Sequence, residues 1–242
     1  MEGRQIRKRE EKSGGLIEKL IPGPVLQRER RIIIGILILL SAALIFFSFF
    51  LPFWNFTLHA PQYPEGLHLK LYLNKVKGEV MEVDILNHYI GMKKLEEAAK
   101  FERKIAFWGV LLLSLGMLGF VFSGRKSMTL FSLLPIVFLI AFVGDLFFWL
   151  YKYGHDLDPA APIKIEPFTP KIFGKGKVGQ FETVASFGAG FYMILLAFVF
   201  SISAFFLRVG VCNACPAKEK CSVVCSSVIR WKAKPEDYER VS

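Results

Sequence analysis

The sequence predicts an all-α membrane protein: four transmembrane helices with a small extracytoplasmic α+β domain formed from two loops. Three observations lead there. Four long apolar runs, at 32–54, 105–122, 128–151 and 187–207, hold a single acid between them, Asp145. All four histidines fall in the polar segments after the first and third runs. All four cysteines fall in the segment after the last. A hydrocarbon core about 30 Å thick takes roughly 20 apolar helical residues to cross, and the runs approach or exceed that length. As buried helices of a soluble protein they would leave no polar face. The 53% apolar content, with 24 Phe, agrees.

The first 31 residues form a basic tail carrying Arg4, Arg7, Lys8, Arg9, Lys12, Lys19, Arg28, Arg30 and Arg31. Glu2, Glu10, Glu11, Glu18 and Glu29 interrupt it, so anionic lipid headgroups suit it better than nucleic acid. A short surface helix is expected around Leu16–Leu20. The first apolar run is too long for a cleaved signal segment, so it is expected to remain as a span. Arg125 and Lys126 lie in the link 123–127, and Arg208, Lys218, Lys220, Arg230, Lys232, Lys234 and Arg240 in the tail 208–242. Positive charge near span ends favours the cytoplasm. Both termini are therefore expected in the cytoplasm of a cell (inner) membrane protein, with both long loops outside. Arg103 and Lys104 flank the second span on the outer side, against that trend.

Span one ends in Pro52-Phe53-Trp54, which suits the interfacial aromatic belt. In the loop 55–104, Leu67–Leu73 (LHLKLYL) alternates apolar and polar, as does Gly78–Ile85 (GEVMEVDI). Asn74–Lys77 between them predicts a hairpin. Asn87 can cap a helix starting at His88, and Leu95–Lys104 is helix-forming and predicted to run unbroken into span two. The loop 152–186 contains Pro159, Pro162, Pro167 and Pro170 with Gly154, Gly174, Gly176 and Gly179, which predicts an irregular segment. Pro135 is expected to kink span three. Gly116, Gly119, Gly188 and Gly190 permit close helix contact.

The tail cysteines are spaced Cys212-x2-Cys215-x5-Cys221-x3-Cys225. A reducing cytoplasm disfavours disulfides. Four nearby thiolates can complete a tetrahedral zinc site or hold an iron–sulfur cluster, and the spacing leaves both open, beside free thiols. In the loops, His88 and Met92 are four apart, which on a helix puts imidazole and thioether on one face. That pairing suits copper. His155, Asp156, Asp158 and His59 can join them in one outer metal site, or the histidines can simply hydrogen-bond backbone. His68, on a predicted strand, reads as a surface residue. Asp145 is an intramembrane acid and so a candidate proton or ion carrier, unless it reaches the interface or pairs with Lys152. No span holds a histidine and no Cys-x-x-Cys-His occurs, so no haem is expected. Phosphate-loop, serine-hydrolase and zinc-protease motifs are also missing from the sequence, and nothing marks the chain as an enzyme.

Three strings belong together: His59–Tyr72 (HAPQYPEGLHLKLY), Asp84–Lys93 (DILNHYIGMK) and Tyr153–Pro170 (YGHDLDPAAPIKIEPFTP). They resemble a poorly characterised family of small multi-span bacterial and archaeal membrane proteins associated with nitrous-oxide reductase and other copper-enzyme maturation systems. The resemblance covers the loops, about a third of the chain. It implies that His88, Met92, His155, Asp156 and Asp158 share one outer site, and that the protein is an accessory to an extracytoplasmic metalloenzyme, in its maturation or its electron supply. Two other readings stand beside it. One is an iron–sulfur subunit of a quinone-linked electron-transfer complex, and the other is a structural membrane anchor. Membrane lipid and a protein partner are expected in the first two.

Overall fold

A computed structural model describes residues 23–124, 127–178 and 181–213. Most of the tail cysteines, the N-terminal basic cluster, the helix expected at Leu16–Leu20, and Arg125 and Lys126 lie outside the described residues. The elements run α1 (Gly23–Ser48), β1 (Trp54–Ala60), β2 (Tyr63–Leu71), β3 (Val76–Gly78), α2 (Val80–Tyr89), a 3₁₀ turn (Leu95–Glu97), α3 (Lys100–Phe122), α4 (Met128–His155), β4 (Gly174–Val178), β5 (Phe181–Phe187) and α5 (Ala189–Asn213).

Among the described residues four helical stretches are long and apolar enough to cross a membrane: Arg30–Ser48, Lys100–Phe122, Met128–His155 and Ala189–Val211. They mark a multi-pass membrane protein in contact with lipid. Their outward faces carry bare Leu, Ile and Phe side chains, as hydrocarbon contact demands. Between helices the chain uses serine. Ser41 Oγ donates to the Ala197 carbonyl at 2.9 Å, Ser114 Oγ to Ala42 at 2.8 Å and Ser201 Oγ to Ser132 at 2.8 Å. Such bonds hold spans together where the hydrophobic effect gives no preference for a neighbouring helix over lipid. Small residues bring the backbones close, as expected: a Cβ on Gly119 would stand 3.1 Å from the Phe131 ring, and one on Gly116 3.6 Å from Leu134. Helix α4 continues through Pro135 as one element.

Arg208, one of the basic residues after span four, is buried. Its guanidinium donates to the carbonyls of Phe120 and Ser123, at the end of α3, and lies 5.0 Å over the Phe120 ring. The Phe120 carbonyl also accepts from the Ser123 amide and hydroxyl, so the cation adds to that cap, bonds the Ser123 carbonyl and suits the negative end of the helix.

The two long loops leave the same end of the bundle and form one five-stranded antiparallel sheet in the order β3-β2-β1-β5-β4. β1 follows α1, β5 precedes α5, and the two pair with Trp54 opposite Phe187 and Thr57 opposite Val184. The joint is tight. The Gly188 and Gly190 amides donate to the carbonyls of Phe53 and Pro52 at 2.9 Å. A Cβ on Gly188 would lie 2.2 Å from the Pro52 oxygen, and one on Gly190 2.7 Å from the Phe53 ring.

Three expectations need correction. The strand expected at Gly78–Ile85 is only Val76–Gly78, followed by helix α2. In the helix, Val80, Val83 and Leu86 turn into the core while Met81 and Ile85 point out. The apparent alternation was a helical period sampled over too few residues. The helix expected from Leu95 into span two is broken. Leu95–Glu97 is a 3₁₀ turn, and Ala99 at φ 49° precedes the start of α3 at Lys100. The loop 152–186 is only partly irregular, since it supplies β4 and β5. Gly174 and Gly176 in β4 hid a strand, and a Cβ on Gly176 would meet Thr183 Oγ1 at 2.7 Å. Lysines on this short edge strand discourage pairing with other chains. The fold is therefore mostly helical, with a larger sheet than a hairpin implies.

Candidate functional site

The site lies where the sheet meets the upper halves of α3 and α4. Here the second and third of the resembling strings come together through backbone. The Asp158 amide donates to the Gly91 carbonyl at 2.9 Å, and the Ile163 amide to Tyr89 at 3.0 Å. Gly91 sits at φ +80°, with Asp158 backbone atoms 2.8 Å from where a Cβ would be. Tyr153 Oη donates to the Lys94 carbonyl at 2.7 Å, and Asp84 accepts from the Leu95 amide at 2.8 Å. Arg103 donates to the carbonyls of Leu95 (3.1 Å), Glu96 (2.8 Å) and Ala98, so it closes the turn that leads into α3. The remaining string, His59–Tyr72, spans the β1–β2 turn and β2.

Lys93 and Asp156 form an ion pair of 2.6 Å across this junction, each about half exposed. Their hydrogen bond, more than the bare charge attraction, holds Asp156 below the usual carboxylate range and Lys93 above the usual lysine range.

Beneath the junction is a cavity of about 560 Å³. Its roof is the apolar face of the sheet, including Phe56, Leu58 and Leu69, and its walls are α3 and α4. A few polar groups interrupt the apolar lining. Asp145, Glu102, Trp149 and Asn87 are among them. Among the described residues the buried Asn87 Nδ2 and Trp149 Nε1 have no hydrogen-bond partner. Trp149 approaches the Asp145 carboxyl without a hydrogen bond of ordinary geometry, and Glu102 is near enough for its charge to act on Asp145.

The residues singled out from the sequence fall in different places. Asp145 and Met92 both line the cavity. His88 is exposed in the last turn of α2, which ends at Tyr89. Met92 therefore lies beyond the helix, and the four-residue spacing does not set the two side chains on one helical face. His155 is exposed, stacks on Tyr151 at 3.9 Å, and has Nδ1 2.9 Å from the Tyr151 carbonyl. Asp156 is held by Lys93, and Asp158 accepts from the Ala160 amide at 2.9 Å. His59 lies on β1 beside Gly66. His68 is exposed, as expected, with Nδ1 3.1 Å from Thr57 Oγ1. Among the described residues no group of three or more His, Cys, Asp and Glu is gathered closely enough to hold a metal ion. Cys212 falls within α5, and Cys215, Cys221 and Cys225 lie outside the described residues.

Sequence reasoning missed Glu102, Arg103, Trp149, Tyr153 and the inward role of Asn87. Arg103 and Glu102 sit in a stretch that reads as plain helix-forming, and only the break at Ala99 gives them their positions. Asn87 carried a signal, since it is a polar residue on the helical face shared by Val83.

Against known proteins, no family model matches the chain, and no curated protein matches it either.

Proposed function

We propose that the protein is a membrane accessory to an extracytoplasmic metalloenzyme of the copper-enzyme type, with the loop-borne sheet domain as its docking face. The observation that carries this is an exposed apolar stripe on α2. Met81 (74% exposed), Ile85 (49%) and Tyr89 (49%) recur every four residues and so share one helical face. Exposed apolar patches of this kind mark interaction surfaces. The stripe ends beside His88, at the junction of the two resembling strings, where the chain spends a left-handed glycine and an ion pair to hold two loops together.

In this reading the termini are cytoplasmic and the sheet lies outside. The tail thiols hold zinc or an iron–sulfur cluster inside the cell. Copper, where it is handled, is passed at the docking face, with His88, next in the chain to Tyr89, as an exposed imidazole donor. The test uses cells that make an extracytoplasmic copper enzyme such as nitrous-oxide reductase. Cells lacking this chain should make that enzyme with less copper. Wild type should restore the loading, and a Met81→Glu/Ile85→Glu double variant that reaches the membrane should not. Full copper loading without the chain contradicts the proposal.

A further inference from the structure

We propose that the cavity beneath the sheet is a binding site for a prenyl quinone or its quinol, with the head group at Asp145, Glu102 and Trp149 and the tail running down between α3 and α4. At about 560 Å³ the cavity falls within the usual range of small-molecule sites, which are mostly apolar with a few placed polar groups.

Its depth gives it access to lipid-soluble molecules. Val110 and Phe138 line its lower part, well inside the apolar helices, while Trp149 and the sheet close its upper part. An occupant drawn from the membrane can keep its tail among apolar side chains and still place a polar head under the sheet.

The polar groups select the head. Glu102 and Asp145 are both on the cavity wall, and among the described residues neither is in an ion pair. Arg103, on the same wall, is already committed to the carbonyls of Leu95, Glu96 and Ala98. A phosphate head would meet two carboxylates, with Arg103 the one cation among the lining residues and Lys152, 5.1 Å over the Trp149 ring, outside that lining, and like charges at close range disfavour each other strongly away from bulk water. A quinone head is neutral. Its carbonyl oxygens can accept from Trp149 Nε1, which has no hydrogen bond of ordinary geometry among the described residues although it approaches the Asp145 carboxyl, and Asn87 Nδ2 is a second buried donor on the same lining. Buried donors without partners are costly, and such a head relieves that cost. When the occupant is the quinol, its hydroxyls can donate to the carboxyl oxygens of Asp145 or Glu102. The inference rests on the cavity and not on the accessory role, since the docking stripe lies on the outer face of α2.

The test takes the full chain in detergent and follows tryptophan fluorescence during titration with decylubiquinone, because Trp54 and Trp149 both line the cavity. Saturable quenching is expected in wild type. A Cβ on Gly109, which also lines the cavity, would meet no atom of the described residues within 4 Å, so Gly109→Phe fills the space without a backbone clash there and should weaken binding at least tenfold. Ala141→Phe fills the same cavity from α4 and serves if the first variant does not fold. Trp149→Phe should weaken binding severalfold while its unfolding temperature stays near wild type. Solvent extraction of the protein purified from its own membranes should yield quinone. Non-saturable quenching that is equal in wild type and both filled variants overturns the proposal. So does recovery of tightly held phospholipid that decylubiquinone does not displace.

Discussion

Gly91→Ala tests the junction on which the site is built. Gly91 lies at φ +80°. Any L-residue forced into that left-handed region costs about 1–2 kcal/mol. The added methyl would also stand 2.8 Å from both the amide nitrogen and the carbonyl oxygen of Asp158. Those are backbone atoms and cannot rotate aside. Relief requires the Tyr89–Gly91 turn and the Asp158–Ile163 segment to separate, at an overpacking cost of about 1–3 kcal/mol. The expected loss is thus about 2–5 kcal/mol. For a chain of this length that is a fall of roughly 5–15 °C in the midpoint of unfolding. The assay is thermal unfolding of the detergent-solubilised protein at one fixed scan rate, with Gly109→Ala as control. Gly109 is helical with open space around it, so the control should match or slightly exceed wild type, because alanine favours helix over glycine. Equal midpoints for Gly91→Ala and wild type would refute the reasoning.

Three further outcomes follow from the same geometry. Arg208→Met removes the guanidinium bonded to the Ser123 carbonyl, while the Phe120 carbonyl keeps the Ser123 amide and hydroxyl, and should cost about 1–3 kcal/mol, read as a lower unfolding midpoint. Arg208→Lys should recover little of it, since one ammonium cannot reproduce the guanidinium fork. Gly188→Ala should reduce folded yield more than Gly116→Ala, because the first meets the Pro52 carbonyl at 2.2 Å and the second only a leucine methyl at 3.6 Å. The Lys93–Asp156 pair stabilises only while both groups are charged. Asp156 is depressed, so its share is present above the ordinary carboxylate range and lost as pH falls through its lowered folded value. Lys93 is raised, so its share is present below the ordinary lysine range and lost as pH rises through its raised folded value. The difference in midpoint between wild type and Asp156→Asn should be largest near neutral pH, small throughout because both groups are half exposed, and vanish at both extremes.

The membrane spans were legible because hydrophobic length is a local property, and each run carries it without reference to its neighbours. Boundaries were less so. Trp54 reads as the end of a span, yet it begins β1, where its indole N–H donates to the Ile172 carbonyl at 2.7 Å. That bond joins residues 118 apart, which no window over the sequence can register. The sheet was half legible. Leu67 and Leu69 alternate cleanly and pair with Leu58 and Phe56, but β4 is built from Gly174, Lys175, Gly176 and Lys177, residues that gain strand geometry only from β5 alongside. The candidate site was the least legible part. Asp145 stood out as a lone acid in an apolar run. Glu102 lay in a charged stretch, and its place on the cavity wall depends on the left-handed turn at Ala99. The strings that suggested a shared site do meet, but through Gly91, Tyr89, Asp158 and Ile163 backbone rather than through the imidazoles of His88 and His155.

The claim on which the rest depends is that both loops build one sheet closing over the upper bundle, and disulfide trapping across β1 and β5 measures it most directly. Opposed residues of antiparallel strands lie about 4.5–5.5 Å apart at Cα, within reach of a disulfide. With the four native cysteines replaced by serine, Thr57→Cys/Val184→Cys should cross-link under mild oxidation, because these positions are partners in register. Thr57→Cys/Glu182→Cys, two residues out of register, should not. No cross-link in the first pair, or equal cross-linking in both, would contradict the single sheet and with it the roof of the cavity.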